Sequence, residues 1–131
     1  MKILVTSLFC VISSLGYAQT APTIYGQWAL PAIQGNGIVI KMHLLFQSGQ
    51  VTEIAECSGY GSSAVSKVSA PVDITQDTVT IKAAAQHTEF ANGFQCNASL
   101  SVGSVNYLIS QNNQMLQLVA NGSTLNLTRE N

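Results

Sequence analysis

The side chains best suited to proton transfer or metal binding in this 131-residue chain are His43 and His87 with Glu53, Glu56 and Glu89. Acid–base catalysis needs a base, a partner and an orienting group that can meet. Glu53 and Glu56 stand three positions apart, and on a strand that spacing sends them to opposite faces. His43 shares a face with Lys41 and Leu45, and His87 lies near Glu89 in a stretch of mixed character. Neither histidine has the spacing of a metal site, and no Gly-x-Ser-x-Gly elbow occurs. The stretch SGYGSS, residues 58–63, is Gly-rich but opens no helix and carries no Lys. It reads as a flexible rim loop and not as a phosphate cradle. The expectation is a protein that is no enzyme, with no catalytic residue, no metal ligand and no cofactor.

Cysteine chemistry depends on the compartment. The first residues hold Lys2, an apolar run through Leu15, and Gly-Tyr-Ala before Gln19. That is the pattern of a secretory signal cut after Ala18. Residues 1–18, with Cys10, are expected to leave, and residues 19–131 remain as one domain. Cys57 and Cys96 are then an even pair in an oxidising compartment, secreted or periplasmic, and should form one disulfide. The apolar run is too short for a membrane span, and no later stretch approaches the roughly 20 residues needed. Asn97, Asn121 and Asn126 each begin an Asn-x-Ser/Thr triplet, a glycan acceptor where the source organism attaches glycans.

Charge past the leader is sparse. Lys41, Lys67, Lys82 and Arg129 face Glu53, Glu56, Asp73, Asp77, Glu89 and Glu130. Without a basic patch there is no electrostatic footprint for nucleic acid or anionic lipid. Solubility falls to Ser, Thr, Asn and Gln, which suits the outer faces of strands.

Period-two alternation predicts those strands from end to end. GIVIKMHLLF puts Ile38, Ile40, Met42, Leu44 and Phe46 on one face and Val39, Lys41, His43 and Leu45 on the other. QSGQ turns the chain at Gly49, and VTEIAEC runs back as a hairpin. A weaker segment covers residues 64–74, where Pro71 suggests an edge or a bulge. TVTIKA follows, and AAAQHTEFANG reads either as a strand end with a loop or as a helical turn. FQCNASLSV aligns Phe94, Cys96, Ala98, Leu100 and Val102 inward. SVNYLIS, MLQLVA and TLNLTR complete eight or nine short strands joined by tight turns. Such a meander predicts an all-β fold, a small up-and-down antiparallel barrel of about eight strands that buries its edges by closing.

The ends of the mature chain carry a resemblance. Gly26 and Trp28 open the first strand in YGQWAL, and Arg129 closes the last in LNLTRE. This arrangement resembles the lipocalin-like (calycin) barrels. The resemblance implies that Trp28 closes the barrel floor with Arg129 across its indole, a cation–π contact of about 0.5–2 kcal/mol. It also implies binding of a small, largely apolar molecule, for which Met42, Phe46 and Tyr107, with Tyr60 on the rim, are the candidate lining. The chain is shorter than a typical lipocalin, so bulky inward residues could equally fill the lumen. The Gly-Gln-Trp opening is also similar to small periplasmic inhibitors of secreted metalloproteases. That likeness implies a protein partner, an extracytoplasmic hydrolase, engaged by an N-terminal trunk over residues 19–25. Either way the chain is expected to be a monomer.

Overall fold

Strict apolar–polar alternation turns the chain from Gly26 onward into a succession of strands, because each peptide step reverses the side-chain direction. A computed structural model describes residues 22–130. The leader with Cys10, the cut after Ala18 and residues 19–21 lie outside the described residues. The strands are β1 (Gly26–Ala29), β2 (Ile33–Gly35), β3 (Ile38–Gln47), β4 (Gln50–Gly59), β5 (Ser62–Ile74) and β6 (Thr78–Ile81), followed by β7 (Ala85–Ala91), β8 (Phe94–Leu100), β9 (Gly103–Ile109), β10 (Met115–Ala120) and β11 (Ser123–Glu130).

Every pairing is antiparallel, and β1 bonds to both β3 and β11. The order β1–β11–β10–β9–β6–β5–β4–β3 therefore returns to β1 as a closed barrel of eight strands. β2 continues β1 along the same edge of β3. Ala29 faces His43 but Ile33 faces Ile40, so the register slips by one residue at Pro31 and Ala32. That slip is a bulge, and it bends the first strand locally near the rim.

The inner face carries the alternation expected of it. Trp28, Leu44, Glu53 and Val68 are successive cross-strand partners on β1, β3, β4 and β5. Cross-strand partners share a face, so this row points inward together. Ile24, Trp28, Val51, Leu116 and Leu127 are fully buried near the end where β3 turns into β4, the floor.

The seam between first and last strands is sealed by one guanidinium. Arg129 Cζ lies 4.1 Å from the centre of the Trp28 ring. Its N–H groups donate to Tyr25 O at 2.9 Å, Asn113 O at 2.7 Å, Asn113 Oδ1 at 2.9 Å and the Thr23 carbonyl. The Trp28 indole N–H donates to Ile24 O at 2.8 Å. Gly26 is a glycine for two reasons. Its φ is +120°, and a Cβ there would stand 2.5 Å from Arg129 Nη1. On the outer side, Gln27 and His43 Nδ1 donate to Glu130 Oε1 at 2.9 and 2.6 Å.

Three local expectations change. Residues 58–63 are no flexible loop: β4 and β5 stay paired to Gly59 and Ser62, joined by Tyr60 and Gly61 at φ +54° and +72°. Two positive φ values in a two-residue link make the mirror-image turn that matches strand twist. AAAQHTEFANG contains a true strand, β7, paired with β8. Val102 is 64 % exposed and not inward, because β8 ends at Leu100.

The weak segment at residues 64–74 belongs to the longest strand, β5, of 13 residues. Pro71 stands where β5 loses its β6 partner, since pairing with β6 covers only Val72, Asp73 and Ile74. The proline's missing donor is therefore harmless. Above Pro71 that side of β5 is free, so the wall between β5 and β9 is open in the upper half. From β6 the chain leaves the barrel sheet as the hairpin of β7 and β8, and it rejoins that sheet at β9.

Candidate binding site at the barrel mouth

β7 and β8 form a sheet of their own, laid against the inner face of β4 and β5. Small residues make room for it. Ala55, Ala64 and Ser66 on the wall meet Cys96 and Ala98 on the hairpin, and all but Ala64 are fully buried or nearly so. The Cys57–Cys96 disulfide bolts the two layers together with Cα atoms 5.7 Å apart. Ser66 Oγ donates to His87 O at 2.6 Å, which adds a polar tie. At the rim, Tyr60 rests between turns: its hydroxyl donates to the Asn36 carbonyl and its ring centre is 6.3 Å from that of Phe94.

The hairpin plugs only one side. On β4 the inward residues Val51, Ala55 and Cys57 stay buried from floor to rim. On the opposite wall, burial fails within one two-residue step. Leu127 is 0 % exposed, yet Leu125, the next inward residue on β11, is 41 % exposed. On the first strand Trp28 is 0 % exposed, Leu30 is half-buried, and Ile33 past the bulge is 57 % exposed. Ile40 pairs with Ile33 and Leu118 pairs with Leu125, so both share that face, and both are half-buried. The upper half is thus a half-filled cup: a polar-backed hairpin on one side, bare aliphatic side chains on the other. On the opposite face of the hairpin Gln86 and Asn97 are exposed and Thr88 is half-buried, and Thr88 Oγ1 donates to Asn97 Oδ1 at 2.9 Å.

Of the residues proposed from sequence, Met42 faces inward and is half-buried between Leu30 and Ala55. Phe46 and Tyr107 are buried and belong to the floor, next to the turn into β4 and to Thr75, whose carbonyl the Tyr107 hydroxyl meets. Burial is the first cause that raises the Tyr107 pKa. Tyr60 is on the rim as a brace between turns. Gly26, Trp28 and Arg129 meet as described, and Cys57 and Cys96 are bonded. The open wall of Leu30, Ile33, Leu118 and Leu125 was not singled out by sequence, although strand parity places each of them on the inward face.

Glu53 is the unexpected inward group. It is 8 % exposed and lies between Leu44 and Val68 in the floor row. Its Oε1 accepts the Ser99 N–H at 3.1 Å. Desolvation raises its pKa, and the Ser99 hydrogen bond opposes that rise without cancelling it. Glu56, on the other face, is half-exposed and 3.5 Å from His43 Nε2. His43 is thus held outside the barrel, between Glu56 and Glu130. Burial raises the Glu130 pKa, but hydrogen bonds from Gln27 and His43 and the His43 charge outweigh it, and the net shift is downward. His87 contacts Glu89 on the exposed hairpin. No cluster of three or more His, Cys, Asp or Glu side chains placed to hold a metal occurs among the described residues. No helix among them is long and apolar enough to cross a membrane.

Set against family models, curated proteins and solved structures, the chain matches none of them.

Proposed function

We propose that this chain is a non-catalytic, lipocalin-like carrier of a small, largely apolar molecule, held in the unplugged half of the barrel mouth. One observation carries the reading: inward-facing aliphatic residues go from fully buried at Leu127 to 41 % exposed at Leu125, with Ile33 at 57 % on the neighbouring strand. An apolar side chain on a strand's outer face meets water as a matter of course. On the inner face of a barrel, the same exposure marks concave apolar surface that a ligand can cover. The disulfide suits an oxidising compartment, secreted or periplasmic. The inhibitor reading would need a free N-terminal trunk, whereas Thr23 and Tyr25 are tied by their backbones to Arg129 and Asn113.

Native mass spectrometry of the protein from its own source, followed by denatured mass of the same sample, tests this. Mass lost on denaturation is the expected result. A charged side chain at the mouth, Leu125→Glu, should abolish it. Leu108→Glu, on the outer face of β9 where Leu108 is already 64 % exposed, should not. Equal loss in both variants, or apolar probes that bind neither the wild type nor the variants, would sink the reading.

A further inference from the structure

A carboxylate inside an apolar barrel is costly unless something meets it, and Glu53 is met only in part. Ionised, the group offers roughly four acceptor positions. Among the described residues a single donor, the Ser99 N–H, fills one of them. Oε2 takes no hydrogen bond from any described residue. No Lys or Arg forms an ion pair with it among the described residues.

Its place in the fold matters as much. Among the described residues β8 pairs only with β7, so no described strand pairs with its other edge. The Ser99 N–H is given to Glu53 and not to β7, which sets Glu53 at that edge, where the plugged half of the barrel meets the open half. From there the inner wall runs through Leu44 to Trp28 in the same row, then up through Leu30 to Ile33. At about 3.3 Å per residue the rim lies about 16 Å above that row, about the reach of an extended twelve-carbon chain.

We infer that Glu53 anchors the headgroup of the bound molecule, and that the ligand is an aliphatic or otherwise apolar molecule carrying a protonated amine. The ammonium donates to Glu53 Oε2 while the body covers Leu30, Ile33, Leu118 and Leu125. This rests on the carrier reading above and specifies its ligand. Carboxylates and neutral chains of the same length are discriminated against, because Glu53 repels the first and gains a hydrogen bond but no countercharge from the second. The raised pKa of Glu53 fits a site awaiting a cation, since an ammonium at Oε2 would favour the charged form.

The experiment compares dodecylamine, dodecan-1-ol and dodecanoate, each below its micelle concentration, by calorimetry at pH 7.5 against wild type and Glu53→Gln. For wild type the amine should bind about tenfold more tightly than the alcohol, because only the ammonium adds a countercharge to the hydrogen bond, with dodecanoate weakest. In Glu53→Gln the amine should fall to about the alcohol's affinity, while the alcohol itself changes much less than the amine. If all three bind wild type equally, or the amine preference survives in Glu53→Gln, the inference is overturned and the carrier reading stands. If none of the three binds, both fall. The same preference, measured on wild type alone, should decline as pH is lowered through the titration of Glu53. A preference that is flat down to acid pH would count against an ionised anchor even if the variant does not fold.

Discussion

The floor and the mouth of the barrel are made from the same strands with the same alternation, yet only the floor is finished. At the floor, Ile24, Trp28, Val51, Leu116 and Leu127 are fully buried and the N-terminal segment, β11 and the turn before β10 are tied through Arg129. At the mouth, β7 and β8 cover one wall and leave the other bare. Under the proposed reading, the difference separates where stability resides from where binding would. Burial that is complete, with its polar groups satisfied, holds the fold; burial left incomplete on a concave face is available to a ligand. Variants at the two ends should therefore differ in which quantity they change.

The largest effect is expected at Trp28. It is the largest fully buried side chain, and its loss would leave a cavity beneath the Arg129 guanidinium and remove the cation–π contact. Trp28→Ala should lower unfolding free energy by about 3–5 kcal/mol in urea titrations. A loss under about 1 kcal/mol would break the comparison, since the floor would then not be where stability resides.

Next comes the staple between the halves. Cys57 and Cys96 are 39 residues apart, and a loop of that length gives roughly 4 kcal/mol in the chain-entropy account. The double variant Cys57→Ser/Cys96→Ser should lose about 3–4 kcal/mol, with β7 and β8 amides exchanging before those of β1 and β11. Uniform early exchange across the barrel would mean that the hairpin is part of the floor's cooperative unit and not a separate plug. Arg129→Met keeps the aliphatic stem over Trp28 but removes its donors to the floor carbonyls. It should cost about 2 kcal/mol, and ligand affinity should hold within about twofold.

How much of this division is legible in the sequence follows from the residues themselves. Trp28 and Arg129 are each the single residue of their type, so a pairing between chain ends stands out. The strong strands β3 and β4 are visible because Ile, Leu, Val and Phe alternate cleanly. β7 is not, because Ala, Gln, His and Thr alternate too weakly to separate a strand from a helical turn. Nothing local says that one hairpin leaves the barrel; only the Cys57–Cys96 pair hints that residue 96 must cross to the inner face of β4. Glu53 was within reach by parity, since Val51, Ala55 and Cys57 share its face and point inward. Its spacing from Glu56 alone draws attention to catalysis and away from the lumen. The bare wall could not be read, because it exists only where the hairpin fails to reach.

Acid–base linkage separates the two ends by sign. The folded-state pKa of Glu130 is depressed from 4.5, so the seam's contribution is present above the unfolded value and lost as pH falls through the folded one. Glu53 has the opposite shift from the same reference. Its ionised form is penalised in the folded state above the raised pKa, and that penalty is relieved as pH falls through it. Glu53→Gln should therefore stabilise the protein at pH 7 and leave it little changed at pH 4, in chemical denaturation at each pH. Destabilisation at pH 7 by the variant would show that the carboxylate serves the fold, and the mouth would lose its status as the region held open for a ligand.

The smallest effect on stability, and the sharpest test of the comparison, belongs to Ile33. At 57 % exposure it contributes little burial to the folded state, so Ile33→Ser should change unfolding free energy by less than about 0.5 kcal/mol. If a ligand's apolar body covers it, the same substitution removes an aliphatic contact of about 1.5 kcal/mol or more from the complex. Affinity for dodecan-1-ol should then drop about tenfold. Leu108→Ser on the outer face of β9 is the matched control: similar exposure, similar stability cost, no change in binding. Equal binding losses at both positions would place the ligand somewhere other than the mouth. A loss at Ile33 alone would show that the unfinished wall is where the molecule does its work.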